Sequence, residues 1–327
     1  MKDRADFGRS VEFPQPTDLA ESGMIVSGVR AALKPGFPAG ALFVLAAGLS
    51  WSFTGIFLRF APDLNSWQFL TWRSLGIACA FALILGSQGG DSIPARFVST
   101  GWIGAIVALS LCMSSIAFIV SMKTATVANA LFLSSCSPLL AALLGRVILR
   151  ERLSLAQAAS VALGLAGLCV IVGGALEAGS LAGNVMGVLT ALGFAGASVA
   201  MRYGPRRDYS PAVLAYGLMA SVFSAGACLA VGATLFPSPV EILAAFGAGF
   251  LVMGLGFALF LRGAPHVPAA GQTVLAQTET IFGPIWVWLA FGEAPAAATL
   301  IGGAIILAAV VWMAGAGASL PMARAAK

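Results

Sequence analysis

Between about Pro38 and Gly317 the chain repeats one pattern, an apolar stretch of roughly twenty residues followed by a short polar connection. A hydrocarbon layer about 30 Å thick is crossed by about 20 apolar residues in a helix that rises 1.5 Å per residue. The pattern predicts ten membrane-spanning helices, at 40–60, 66–87, 101–121, 125–148, 155–174, 183–202, 210–235, 241–262, 267–290 and 296–316. A backbone inside lipid must satisfy its own hydrogen bonds, so the expected fold class is an all-α membrane protein.

Composition sharpens this. The 327 residues are 59% hydrophobic and only 9% charged, and mean hydropathy is +0.94, whereas soluble domains carry about 25% charged residues. A pI near 9.2 raises the question of nucleic acid. The basic residues, however, stand singly or in small groups at span ends, where they meet lipid headgroups, so no nucleic-acid partner is expected.

The placement of Lys and Arg predicts orientation. With the N-terminus inside, fifteen of the 18 basic residues fall in cytoplasmic segments, from Lys2 through Arg96, Arg146, Arg150, Arg152, Arg202, Arg206, Arg207 and Arg262 to Lys327. The outer loops hold Arg59 and Lys123, and Arg73 falls inside a span. Positive charge on the inner side predicts cytoplasmic N- and C-termini in a bacterial-type inner membrane.

Residues 1–37 differ in kind, with mixed charge and prolines at 14, 16 and 35, Pro38 following directly, and read as a flexible cytoplasmic tail. Met24 is an alternative start within it. Residues 318–327 form a second cytoplasmic tail. The five cysteines, Cys79, Cys112, Cys136, Cys169 and Cys228, lie in apolar spans without CxxC or His-cluster spacing. They read as packing or lipid-facing residues, and neither metal nor cofactor is expected.

The two halves resemble one another. LSWSFTGIFLRF, ending at Phe60, lies over LGFAGASVAMRY, ending at Tyr203, which sets Trp51 over Phe194 and Arg59 over Arg202. SWQFLTWRSL from Ser66 lies over SPAVLAYGLM from Ser210, setting Trp72 over Tyr216, and the surroundings of Glu151 match those of Glu293. The chain therefore reads as two five-helix repeats, 38–175 and 183–317. Five is odd, so the second repeat enters the membrane from the opposite side. Consistent with this, Arg146, Arg150 and Arg152 surround Glu151, and no basic residue surrounds Glu293. Inverted repeats of this kind are a device of secondary transporters.

Ten spans arranged as five plus five, a Pro-x12-Glu stretch from Pro138 to Glu151, and the following AQAASVALGLAGLCVIVGG helix resemble the EamA-type branch of the drug/metabolite transporter superfamily. The second copy departs from the family pattern, with Thr280 where proline is usual and Pro284 four residues later. The resemblance implies a transporter of small metabolites, commonly an exporter of amino acids or related compounds, working without ATP. The absence of a GxxxxGK[ST] loop agrees with that.

An ionisable side chain in a span costs about 2.5–3.5 kcal/mol on insertion scales, so Arg73 and Glu279 each need a reason. Their repeat counterparts are Gly217 and Ser137, so symmetric scaffolding does not account for them. Arg73 suits a substrate carboxylate or phosphate, or else snorkels to headgroups or pairs with Glu279. Glu279 suits a substrate ammonium or a coupling proton, or else a structural role. Gln272, Gln277, Thr273 and Thr280 share its span, and Asn129, Ser134 and Ser135 occupy comparable places in the fourth. Trp51, Trp72, Phe194 and Tyr216 recur at equivalent sites, as cavity walls or as packing. His266 reads as a turn residue.

Small residues at Ala158, Ala162 and Ala166, echoed by Ala298 and Gly302, predict close helix packing between the halves or between two copies of the chain. The overall expectation is a secondary active transporter of a small polar metabolite, not an enzyme, with a small-molecule substrate and the lipid bilayer as partners. Protons are the candidate coupling ion, and a second copy of the chain is a further candidate partner. The alternatives are a facilitative channel or carrier, or a non-transporting membrane protein or enzyme.

Overall fold

A computed structural model of the protein describes residues 37–89, 92–148, 150, 154–177, 181–204, 208–267, 272 and 275–318. The expected tails, up to residue 36 and from residue 319, lie outside the described residues, as do Thr273, Glu151, Arg152, Arg206 and Arg207.

The described residues form helices and no strands. In chain order these are α1 (Phe37–Ser52), α2 (Thr54–Arg59), α3 (Ser66–Ser87), α4 (Ile93–Thr124), α5 (Val127–Ser134), α6 (Ser137–Ile148) and α7 (Leu155–Glu177) in the first repeat. The second holds α8 (Leu181–Tyr203), α9 (Ser210–Ala230), α10 (Pro239–Gly247), a π-helical stretch (Ala248–Gly254), α11 (Leu255–Gly263), α12 (Thr278–Phe291) and α13 (Ala297–Ala318). Among the described residues nine helices are long and apolar enough to cross a membrane, several of them built from two of these pieces. At the expected ninth span the described helix is α12, whose 14 residues reach only about 21 Å at 1.5 Å each.

Local chemistry sets the ends. Asn65 and Gln68 form a capping box at the start of α3, and Ser238 and Glu241 form another at α10. Gly101 has φ 63 inside α4 and kinks it. A side chain is strained there, and the position is where the apolar span was expected to begin. Gly292, with φ 70, ends α12 in a left-handed turn.

The second, fourth and fifth spans each pack antiparallel on their counterparts in the other half. In α3 and α9, Gln68 Nε2 donates to Thr234 O at 2.9 Å, Thr71 Oγ1 to Ser224 Oγ at 3.3 Å, and Gly217 packs on the Ser74 carbonyl. In α7 and α13, Gly167 faces Gly302, and Gly164 lies near Ala309. Between the fourth and ninth spans, Val127 meets Glu293, Leu131 meets Gly283 and Ser135 meets Gln277. The first and third spans are exchanged in this scheme: α1 packs on α11 of the eighth span, with Gly40 on Gly263 and Trp51 on Gly256, while α4 packs on α8, the counterpart of α1.

As a contact between the halves, the alanine stripe is corrected by this packing. Ala158, Ala162 and Ala166 are exposed, and Ser160, Val161, Gly164 and Gly167 form the buried face instead. Two glycines allow the closer approach: a Cβ on Gly167 would lie 2.7 Å from the Gly302 carbonyl. Gly302 packs as expected. Large apolar side chains such as Leu83, Val222, Leu243, Leu289 and Ile301 are exposed around the outside, a surface that suits lipid and not water.

Candidate functional site

Two helix breaks meet at one place. The fourth span stops at Ser134 and resumes at Ser137, followed by Pro138. Proline lacks an N–H, so the ladder cannot run through it without loss. Ser135 and Cys136 turn instead, their amides donating to Leu131 O at 3.0 Å and Leu133 O at 3.2 Å. The side chains of Ser134 and Ser135 donate back to Leu131 O and Phe132 O, at 2.9 and 2.6 Å. In the expected ninth span Gln277 forms the turn before α12. Gln277 follows Ser135 at the spacing that separates Glu151 from Glu293, and its Nε2 donates to the Ser135 carbonyl at 3.3 Å. Thr280 Oγ1 then donates to Gln277 Oε1 at 3.0 Å. The second break forms although Thr280 stands where the family has proline.

Beside the breaks lies a cavity of about 120 Å³. One water needs roughly 10–15 Å³, so the cavity has room for several waters or one small solute. Arg73, Tyr216 and Ser115 line it from α3, α9 and α4, and Gln277, Glu279 and Thr280 from the ninth span. Trp51, Phe194, Phe257 and Met253 give apolar walls. The Trp51 ring is held edge-on to Phe257, with centroids 5.3 Å apart.

Arg73 is 1% exposed, so it does not snorkel. Its Nη1 donates to Ser115 Oγ at 2.7 Å, Tyr216 lies beside it, and its Nε has no partner. Glu279, half-buried, is within electrostatic reach of Arg73. The two form no ion pair; those among the described residues join Arg59 to Glu293 and Arg96 to Asp208. A guanidinium and a carboxylate thus share the cavity, each with hydrogen-bonding capacity in hand.

Of the sequence candidates, Arg73, Glu279, Gln277, Trp51 and Tyr216 line this cavity, and Gln272, Asn129 and Trp72 do not. The Gln272 amide donates to Ala264 O at 2.6 Å and Val267 O at 2.8 Å, closing the chain after α11. Asn129 donates to Asn184 Oδ1 at 3.2 Å and accepts from Thr299 Oγ1, tying the fourth span to α8 and α13. Trp72 Nε1 donates to Leu235 O at 2.9 Å, and its ring packs edge-on to Phe236. It anchors α3 to the chain that follows α9. Ser134 and Ser135 line the cavity with Ser137, the counterpart of Glu279. His266 lies in a 3-10 turn against Gly40.

Ser114, Ser115, Thr190, Met253 and Phe257 line the cavity without having been singled out. Lone hydroxyls in apolar helices usually bond their own backbone and carry little sequence signal. The adjacent pair Ser114–Ser115 is the one hint: Ser114 Oγ donates across to Thr190 O at 2.9 Å, and Ser115 receives Arg73. The described residues hold no cluster of three or more His, Cys, Asp or Glu suited to a metal ion.

A crystal structure described only as that of a protein shares the fold. Its TM-score is 0.62 at 19% identity, over 86% of this chain and 99% of the other. No curated protein matches the chain. The model of the EamA-like transporter family matches twice, over residues 38–173 and 181–315. These two matches take in almost every described helix and fall on the two halves whose helices pair across the cavity, so the chain belongs to the EamA-like transporter family.

Proposed function

We propose that the protein is a secondary active transporter that exports a small zwitterionic metabolite, an amino acid or related compound, by alternating access. One observation carries this reading. Arg73 and Glu279, opposite charges from opposite repeats, line one cavity at two helix breaks and are not joined to each other. A zwitterion fits between them, its carboxylate on the guanidinium and its ammonium on Glu279. The α6 and α12 helices lead away from the breaks to opposite ends of the molecule. They reach about 18 and 21 Å for 12 and 14 residues at 1.5 Å each, which puts the cavity near mid-membrane.

In this reading the ninth span completes a set of ten, and the repeats are inverted. The antiparallel pairing of α3 with α9, α7 with α13, and the fourth span with the ninth supports inversion, because equivalent helices then run in opposite directions. Arg59 and Lys123 mark the outer face and the termini lie in the cytoplasm of an inner-membrane protein. Rocking of one repeat against the other exposes the cavity to each face in turn, driven by a proton gradient through Glu279.

The test is reconstitution in proteoliposomes, with a panel of amino acids and related zwitterions, with and without a pH gradient. Saturable, gradient-dependent flux is the expected result. Unsaturable flux points to a channel, and chemical turnover without flux points to an enzyme; either result rejects the proposal.

A further inference from the structure

We propose that Glu293 is a latch that holds the cavity shut toward the face bearing Arg59, and that opening to this face requires it to release two spans at once. The inference rests on the alternating-access reading above. Glu293 Oε2 accepts from Arg59 Nη2 at 2.6 Å and from Arg59 Nε at 2.9 Å, at the end of the first span. Its Oε1 accepts from the backbone N–H of Val127 at 3.2 Å, in the first turn of α5. One carboxylate thus ties the first, fourth and ninth spans together, two from one repeat and one from the other.

The geometry around it is that of a lever. α12 begins at the cavity with Glu279 and ends just before Glu293, so movement at one end is carried to the other by a single helix. Gly292 makes the turn that sends Glu293 back over the helix end. With φ 70 and open space around it, the position supplies a sharp bend and no packing. Along its length α12 fills the gap between the first and fourth spans. Trp286 Nε1 donates to Ser52 Oγ at 3.0 Å and stacks on Phe53 at 5.6 Å. Val287 fills the space beside Gly55, and Phe291 meets Phe60 at 5.7 Å.

Apart from the single Trp286–Ser52 hydrogen bond, these ring and side-chain contacts are apolar and leave no polar group unpaired when they part. The charged tie lies at the tip, where Arg59 and Glu293 remain 29% and 25% exposed. Partly exposed ion pairs are weak and can be resolvated by water when broken. A fastening of that kind is suited to repeated opening, in contrast to the fully buried Arg73. Lys123 does not compete for Glu293, because its Nζ donates to the carbonyls of Ala61 and Pro62 at 3.0 and 3.3 Å.

The test reads access to the cavity and needs no substrate. A Ser134→Cys reporter in the cavity wall is placed in otherwise unaltered protein, reconstituted in vesicles and treated with a membrane-impermeant thiol reagent from the Arg59 face. Mass spectrometry follows modification at position 134 alone. Glu293→Gln and Arg59→Gln are each expected to raise the labelling rate about fivefold, the change produced by losing about 1 kcal/mol of closure. The exchanged pair Arg59→Glu with Glu293→Arg restores attraction but not the bond to Val127, so its rate falls below that of either single variant without reaching the parent. Equal labelling in parent and single variants overturns the latch, as does an exchanged pair no slower than the single variants. If no solute is transported but labelling still responds, the latch stands and the transport reading fails; transport with unresponsive labelling gives the reverse.

Discussion

Arg73 and Glu279 line the same cavity from different repeats, and no ion pair joins them. Burying both without pairing is costly, and the fold offsets the cost unevenly. Arg73 is held by Ser115, with Tyr216 alongside, while Glu279 lies in the first turn of α12, where the helix dipole favours a carboxylate. The asymmetry between repeats also has a steric cause. Gly217, the counterpart of Arg73, sits where α9 crosses α3, and a Cβ there would lie 2.9 Å from the Ala78 nitrogen. A second arginine has no room.

On the proposed reading, replacing Arg73 removes an anion-binding group that has no substitute in the other half. Arg73→Ala is expected to weaken binding of a zwitterionic substrate about ten- to hundredfold, the scale of a lost hydrogen-bonded charge. Arg73→Lys recovers little, because a point charge does not reproduce the planar fork. Binding to purified, monodisperse protein checks this. Full affinity in Arg73→Ala refutes the assignment.

Glu279→Gln keeps the shape of the side chain and removes its charge. As a coupling site, the variant retains substrate exchange but loses accumulation driven by a pH gradient. As an ammonium site, it loses binding itself. Exchange, accumulation and affinity measured across a range of pH separate the two, and parental behaviour in all three makes the residue structural.

Nine of the expected spans were legible because twenty apolar residues have few other uses, and Arg73 and Glu279 stood out because charge is rare in such stretches. Which face of a helix a polar residue takes was not legible. Asn129 and Gln272 share their spans with cavity residues, yet both point away and secure the chain, one to Asn184 and one to the end of α11. Ala158, Ala162 and Ala166 misled for a related reason. Their spacing is right for helix packing, but the glycines on the neighbouring face permit a closer approach and take the contact. The π-helical stretch from Ala248 to Gly254 has no sequence signature. It sits where α3 presses on the eighth span, and Ser50 Oγ donates to its Val252 carbonyl at 2.8 Å.

Topology can be measured directly. Reporters fused after Arg152, Arg207 and Lys327 are expected to read as cytoplasmic, and one in the loop following Glu177 as external. A cytoplasmic signal near Glu177 gives the first repeat an even number of crossings and removes the inversion.

Gly249 offers a test of how closely the site depends on packing. It lies in the π-helical stretch with its Cα against the backbone of Arg73. A Cβ there would fall 1.8 Å from the Arg73 carbonyl oxygen and 2.7 Å from its carbonyl carbon. Backbone cannot swing aside as a side chain can, so Gly249→Ala must push α3 away from the eighth span and carry Arg73 with it. Overpacking of this kind costs about 1–3 kcal/mol. Gly226, on the outer side of α9, has open space around it, and Gly226→Ala serves as the control. Gly249→Ala is expected to lower the thermal midpoint of detergent-solubilised protein by several degrees, with Gly226→Ala unchanged. Where the variant still folds, it should also weaken substrate binding, since Ser115 stays on α4 while Arg73 moves with α3. A Gly249→Ala protein as stable as the parent shows that the two helices part easily, and that the position of Arg73 is not fixed by this contact.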